Sequence, residues 1–358
     1  MKRNLCIWGP PPKLGNPDQY NEFGFSIDYK NSIPEFLKKC NNSGVTKIIG
    51  GDKSKELTEE AHKLGILLDP YDNFNSFPRH GFSRIVYTWS LDFLALDVNN
   101  DKARDILNNH KPIFYYPRES QIKQTEFSLN NKGFRTYDQS KNIEIKPGQD
   151  LYLSLAYKEV VDEEIRKFNK SLTDTNGDGL QIEFVLGNED STGTVTYGYD
   201  DRVVNSFKEK TGIDPFEIDN SNTQWVEHRA EYVTNFLVTA KNEINKCNPK
   251  KTLSATVIAG ESDSYIKKLQ NLEKWFDKDI FDEFYLWFRT NNDYEFVKKQ
   301  TKYVSKLINE RIPLIVELSA YHPNSFQDDE SIVKAGKIAI DNGASGLGIY
   351  RSHAVEQL

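Results

Sequence analysis

Two segments that read as buried strands each carry one glutamate. The first is Leu180-Gln181-Ile182-Glu183-Phe184-Val185-Leu186, and the second is Pro313-Leu314-Ile315-Val316-Glu317-Leu318-Ser319. Successive side chains of a strand point to opposite faces. In the first segment Leu180, Ile182, Phe184 and Leu186 share an apolar face, so Glu183 points the other way with Gln181 and Val185. In the second, Leu314, Val316 and Leu318 share that face, so Glu317 points the other way with Ile315. A carboxylate on the inner face of a buried strand is costly unless it is paired or used. Two of them suit a catalytic pair, in which one carboxyl protonates a glycosidic leaving oxygen while the other attacks the anomeric carbon or activates water. The competing explanation for each glutamate is a structural ion pair with an inward Lys or Arg.

The same alternation places Asp69 and Tyr71 opposite Ile66 and Leu68, and Tyr285, Trp287 and Arg289 opposite Phe284, Leu286 and Phe288. Tyr350 ends a further strand that alternates through Gly346 and Gly348, with Arg351 beside it. Together these residues would line one pocket around Glu183 and Glu317. Trp and Tyr rings stack on the apolar faces of sugars, and Arg289 could bind an acidic sugar or hold either glutamate ionised. Tyr321 and His322, just past the second strand, are candidate substrate contacts, with an exposed loop as the alternative for the histidine.

Elements that could position such residues alternate along the chain. Strand patterns fall at residues 5–9, 45–51, 66–72, 180–186, 253–259, 283–289, 313–319 and 344–351. Helical patterns fall between them, at 32–44, 54–64, 157–171, 200–210, 222–245, 265–276, 294–309 and 328–342. Ser32-Ile33-Pro34-Glu35 reads as a capping box opening the first helix. Eight strands with helices between them predict a single (β/α)8 TIM barrel over 1–358. Residues 75–150 form a long insertion after strand 3, a βα-loop segment or small subdomain at the active-site mouth, bringing Trp89 or the Tyr115-Tyr116 pair to the pocket.

The bulk composition narrows the function. The chain has 358 residues and 18 Tyr, 21 Phe and 5 Trp, enough rings for both core and sugar stacking. A net charge of −7 argues against a nucleic-acid partner, and no apolar run reaches membrane-spanning length. The expected compartment is cytoplasmic, or periplasmic or extracellular if a signal peptide has been removed. Cys6, Cys40 and Cys247 form neither a disulfide framework nor a metal motif and read as buried free thiols. The six His residues lack metal-ligand spacing. Asp174-Thr175-Asn176-Gly177-Asp178-Gly179 imitates half of an EF-hand loop, but Gln181 and Val185 stand where that loop needs an apolar residue and a Glu. Gly50-Gly51 and Gly346-Leu347-Gly348 lack a phosphate-loop pattern. Neither a metal nor a cofactor is expected.

From Asp178 onward the chain resembles the glycoside hydrolases that are like family 10, (β/α)8 barrels of a clan A-like superfamily. The resemblance rests on Asp178-Gly179 before a strand with an acidic residue, Tyr197-Gly198-Tyr199, and Gly212-Ile213-Asp214-Pro215 after a helix. It continues in the helix with Trp225, Arg229-Ala230-Glu231-Tyr232-Val233 and Phe236-Leu237, in Gly343-Ala344-Ser345-Gly346, and in Ala61-His62-Lys63-Leu64-Gly65-Ile66. The family carries Asp where Glu183 stands, followed by an Arg-Tyr-Pro type segment that this chain lacks. Glu317 is similar to the nucleophile position of clan A retaining glycosidases. Their acid/base ends strand four and follows Asn, so the resemblance makes Glu189, after Asn188, a rival to Glu183.

The expected function is a glycoside hydrolase cleaving an oligo- or polysaccharide with paired carboxylates. A separation of about 5–5.5 Å gives retention, the expected outcome, and about 6.5–9.5 Å gives inversion. The alternatives are a non-catalytic carbohydrate-binding barrel and a lyase or isomerase acting on a small sugar acid.

Overall fold

A computed structural model describes residues 4–8, 29–49, 55–73, 132–134, 136–140, 153–184, 189–247, 249–289, 291–319, 325–326 and 328–350. The side chains at 4–8, 29–33, 71–73, 132 and 183 lie outside the description. The strands are β1 (Asn4–Trp8), β2 (Lys47–Ile49), β3 (Leu67–Asp69), β4 (Tyr71–Asn73), β5 (Gly179–Phe184), β6 (Thr252–Ile258), β7 (Glu283–Phe288), β8 (Leu314–Ser319) and β9 (Gly346–Tyr350). They form one sheet in the order β3-β2-β1-β9-β8-β7-β6-β5-β4, with every described pairing parallel. The longer helices are α1 (Tyr29–Asn42), α2 (Lys55–Lys63), α3 (Lys158–Thr175), α4 (Asp201–Thr211) and α5 (Thr223–Cys247). They continue with the short α6 (Ser262–Lys267) and α7 (Leu272–Asp277), then α8 (Tyr294–Ile308) and α9 (Asp329–Asp341). The result is a parallel α/β fold of TIM-like layout.

Strand parity sorts the side chains as the sequence predicts. Leu180, Ile182, Phe184, Leu253, Ala255, Val257, Phe284, Leu286, Phe288, Leu314, Val316 and Leu318 join the helices in one large core. Tyr285 and Ile315, from the opposite parity, meet Ile49 in a separate small cluster with Tyr350 against it.

Three elements differ from expectation. The third strand is two strands, because Pro70 supplies no N–H to the ladder. Its carbonyl still accepts from Gln181 N at 3.0 Å. The helix expected at 265–276 is broken into α6 and α7. Leu269 takes a left-handed φ of 61°, and the Asn271 side chain accepts from Lys274 N to open α7. Helix α1 starts at Tyr29, ahead of the expected capping box, and contains Pro34.

The described thiols also divide. Cys40 is buried, and burial pushes its thiol up to about 12. Cys247, expected to be buried, ends α5 exposed. No helix among the described residues is long and apolar enough to cross a membrane.

Candidate functional site

Glu317 sits inside the sheet with no solvent exposure. Its neighbours across the ladder are Trp287 on β7 and Gly348 on β9. A Cβ at Gly348 would stand 2.8 Å from Glu317 Cγ, so a residue with hydrogen as its side chain makes the space for the carboxylate. Hydroxyl and amide groups lead to it from the next strands. Ser254 Oγ donates to the Gln181 side-chain carbonyl, the Gln181 amide donates to Thr256 Oγ1, and Thr256 Oγ1 donates to Glu317 Oε2 at 3.4 Å. The chain runs donor to acceptor in one direction and ends on the carboxylate. Glu183 holds the β5 position in register with Thr256.

The side chains beside Glu317 are aromatic. Trp287 is 3% exposed, and its Nε1–H donates to Ser319 Oγ at 3.0 Å. The Trp287 and Tyr350 ring centroids lie 4.5 Å apart. Arg289, exposed at the end of β7, lies with its guanidinium 5.4 Å from the Trp287 ring centroid.

Asp69 and Tyr285, two further candidates for substrate contact, belong to a different cluster. Lys47 Nζ bonds Asp69 at 2.9 Å and Glu283 at 2.7 Å, and the Tyr285 hydroxyl donates to the same Glu283 oxygen at 2.8 Å. A buried lysine needs such anionic partners. Burial raises the Asp69 carboxyl, Lys47 opposes that rise, and Glu283 adds to it. Glu283 opens β7 four residues before Trp287, a rise of about 13 Å along the strand. This ion cluster therefore occupies the N-terminal level of the sheet, below the level of Glu317.

Glu189 lies beyond β5 in a small turn closed by its bridge to Val195. Burial raises its carboxyl, Lys268 at 3.9 Å lowers it, and Asp190 raises it. The adjacent Asp190 moves the other way. Burial works against it, but bonds from Asn220, Thr192 and Thr194 hold it below the ordinary carboxylate range. The two adjacent carboxyl groups are thus shifted in opposite directions.

A buried arginine fixes this turn. Arg229, fully buried on α5, donates to the carbonyls of Val195 at 2.8 Å, Tyr197 at 2.7 Å and Asn220 at 2.9 Å. Its guanidinium lies over the Trp225 ring, and burial lowers its pKa to about 10. Asn220 in turn donates to Asp190 at 2.7 Å and accepts from the Tyr199 hydroxyl. Tyr197-Gly198-Tyr199 and Arg229 thus acquire a physical role as the clamp on the turn that presents Glu189. Gln181, Thr256 and Gly348 were not singled out as site residues by sequence reasoning. Their signal was present in the inward parity of Gln181 and Thr256 and in the glycine facing Glu317.

The EF-hand-like segment is used structurally. Asp174 pairs with Lys170, and Asn176 ends α3 in a left-handed conformation. Asp178 accepts from Leu68 N at 2.8 Å and contacts the His62 ring at 2.9 Å. Among the described residues, no group of three His, Cys, Asp or Glu is arranged to hold a metal ion. Trp89, Tyr115, Tyr116, Tyr321, His322 and Arg351 lie outside the described residues, as do the side chains of Tyr71 and Glu183.

No family model matches the chain, and no curated protein sequence matches it significantly. Solved structures do. The glycoside hydrolase domain of PgaB (BpsB) from Bordetella bronchiseptica aligns at 10% identity and a TM-score of 0.63, covering 99% of this chain and 97% of that one. A β-galactosidase from the psychrophilic Marinomonas ef1 aligns at 9% identity and a TM-score of 0.58, covering 97% of this chain and 54% of that one. One from Bacillus circulans sp. alkalophilus aligns at 12% identity and a TM-score of 0.57, with 98% and 50% covered. The chain spans about half the length of these galactosidases. The chain therefore has a fold found among glycoside hydrolases.

Proposed function

We propose that the protein is a glycoside hydrolase on a closed (β/α)8 barrel, with Glu317 as the nucleophile. The observation that carries this reading is the seat of Glu317. It is a fully buried carboxylate beside the Trp287–Tyr350 ring pair, with room made by Gly348 and a directed hydroxyl from Thr256. Closure is supported by the chain path, since the two end strands of the sheet, β3 and β4, are joined by Pro70 alone. The insertion 75–150 is read as a wall at the mouth. Its described tail docks on the connection after β5, where Tyr137 O accepts from Gly198 N and Tyr199 N.

The acid/base comes from the β5 end of the pocket. Glu183 is the first candidate by inward register. Glu189 is the second, supported by its raised carboxyl and the Arg229 clamp. Retention follows if the partner lies about 5–5.5 Å from Glu317.

The test is a panel of aryl glycosides and polysaccharides with wild type, Glu317→Gln, Glu183→Gln and Glu189→Gln. Glu317→Gln is expected to lose at least ~1000-fold in kcat on every substrate. Loss of the acid is expected to fall most heavily on poor leaving groups, which identifies which of Glu183 and Glu189 serves. Full activity in Glu317→Gln would overturn the paired-carboxylate reading.

A further inference from the structure

We propose that the rim of this pocket recognises an anionic substituent of the carbohydrate, a uronic-acid carboxylate or a sulfate ester, on the guanidinium of Arg289. The proposal rests on the glycosidase reading and adds the substrate class. Five arginines are described. Arg166 pairs with Glu163, Arg202 donates to the Ala156 carbonyl, and Arg229 donates to three carbonyls. Arg311 donates to the carbonyls of Ile308, Phe276 and Leu307. Arg289 alone among them spends no N–H on an acceptor of the described residues, and its partner there is the ring of Trp287.

That ring is a fixed platform. Trp287 is buried, tethered by Nε1–H to Ser319, and packed against Tyr350. A guanidinium seated on a held ring loses little freedom when it takes an anion, and its planar fork matches an oxyanion in two parallel hydrogen bonds. The position matters as much as the chemistry. Arg289 lies two residues beyond Trp287 on the same strand parity, and Trp287 is in direct register with Glu317. An anion on Arg289 would therefore belong to a sugar at or next to the bond being cleaved. A chain with net charge −7 repels an anionic polymer at long range, so recognition of one requires a local cation of this kind.

The experiment compares matched neutral and anionic ligands with wild type, Arg289→Gln and Arg289→Lys. Turnover is measured on aryl glucoside against glucuronide and aryl galactoside against galacturonide. Binding of neutral, uronic and sulfated oligosaccharides is measured by calorimetry in wild type and in Glu317→Gln. The expected result is a preference for an anionic member, with the anionic-to-neutral ratio falling about 10- to 100-fold in Arg289→Gln and less in Arg289→Lys. The uronic and sulfated arms identify the substituent. Binding of neutral ligands alone, or an unchanged ratio in Arg289→Gln, overturns the proposal and leaves the glycosidase reading standing. Arg289-dependent binding of an anionic glycan without turnover supports the anion site and overturns the hydrolase reading. No binding of either class overturns both.

Discussion

Glu317 keeps its place because only hydrogen stands on the α-carbon opposite it. A methyl at Gly348 would lie 2.8 Å from Glu317 Cγ, near the root of the side chain, where rotation gives little relief. Gly348→Ala is expected to cost about 1–3 kcal/mol of stability through overpacking and to lower glycoside turnover at least ~10-fold by displacing the carboxylate. A double-mutant cycle separates this from a backbone effect, because Glu317→Ala should remove most of the stability cost of Gly348→Ala. Equal costs in both backgrounds would show that the clash is not with Glu317. At this scale the sequence was informative where alternation alone decides direction. Parity separates Glu317 and Trp287 from the apolar residues on either side of them, which lie in the helix-packed core. It also placed Asp69 and Tyr285 inward, but it could not show that Lys47, far away in sequence, would draw both into the Glu283 cluster below.

Elements were legible where spacing and caps agree. Helix α5 spans Thr223–Cys247, with Trp225, Val233, Phe236, Leu237, Ala240 and Ile244 buried as their spacing requires. The break between α6 and α7 was not legible, because no Gly or Pro marks it. Leu269 is fully buried, so its left-handed φ serves tertiary packing rather than local preference. Asp200 shows the same dependence on distant chain. It caps α4 by accepting from Val203 N, and Ser154 and Thr136, at the return of the insertion, act to lower its carboxyl. Burial nevertheless raises its carboxyl from 3.8 to about 6. The folded chain therefore retains a proton that the unfolded chain has released over that interval. The stabilisation is fully present below the unfolded value of 3.8 and is lost as pH rises through about 6. Asp200→Asn keeps a good cap without the buried charge. Its urea midpoint is expected to vary less between about pH 4 and pH 7, with a gain of about 1–3 kcal/mol at the upper end. A wild-type slope retained in the variant would assign that pH dependence to other groups.

At the scale of the whole molecule, βα alternation predicts eight strands and the described sheet has nine because the third is split at Pro70, whereas the contact between β3–β4 and β5 depends on residues that no periodicity reveals. The seam is short. Leu68 O accepts from Asp178 N at 2.8 Å, Asp178 Oδ2 accepts from Leu68 N at 2.8 Å, and Pro70 O accepts from Gln181 N at 3.0 Å. Gly179 is required there, since a Cβ would meet the Thr252 carbonyl at 2.6 Å. The Asp-Gly pair that carried the family resemblance is thus part of the joint between β3–β4 and β5. In an open sheet, β3 and β4 would be edges with weakly held amides. In a closed barrel, the amides of Leu68, Asp178 and Gln181 should exchange with solvent as slowly as those at the centre of β7. Asp178→Ala removes the acceptor for Leu68 N and the His62 contact, and is expected to cost about 1–3 kcal/mol. The loss of protection should begin at Leu68 and Gln181 before it reaches β7 or β8. Fast exchange across residues 67–73 in the wild type would mean that the sheet is open at Pro70. Uniform loss across all strands in Asp178→Ala would mean instead that the seam opens only with the whole fold.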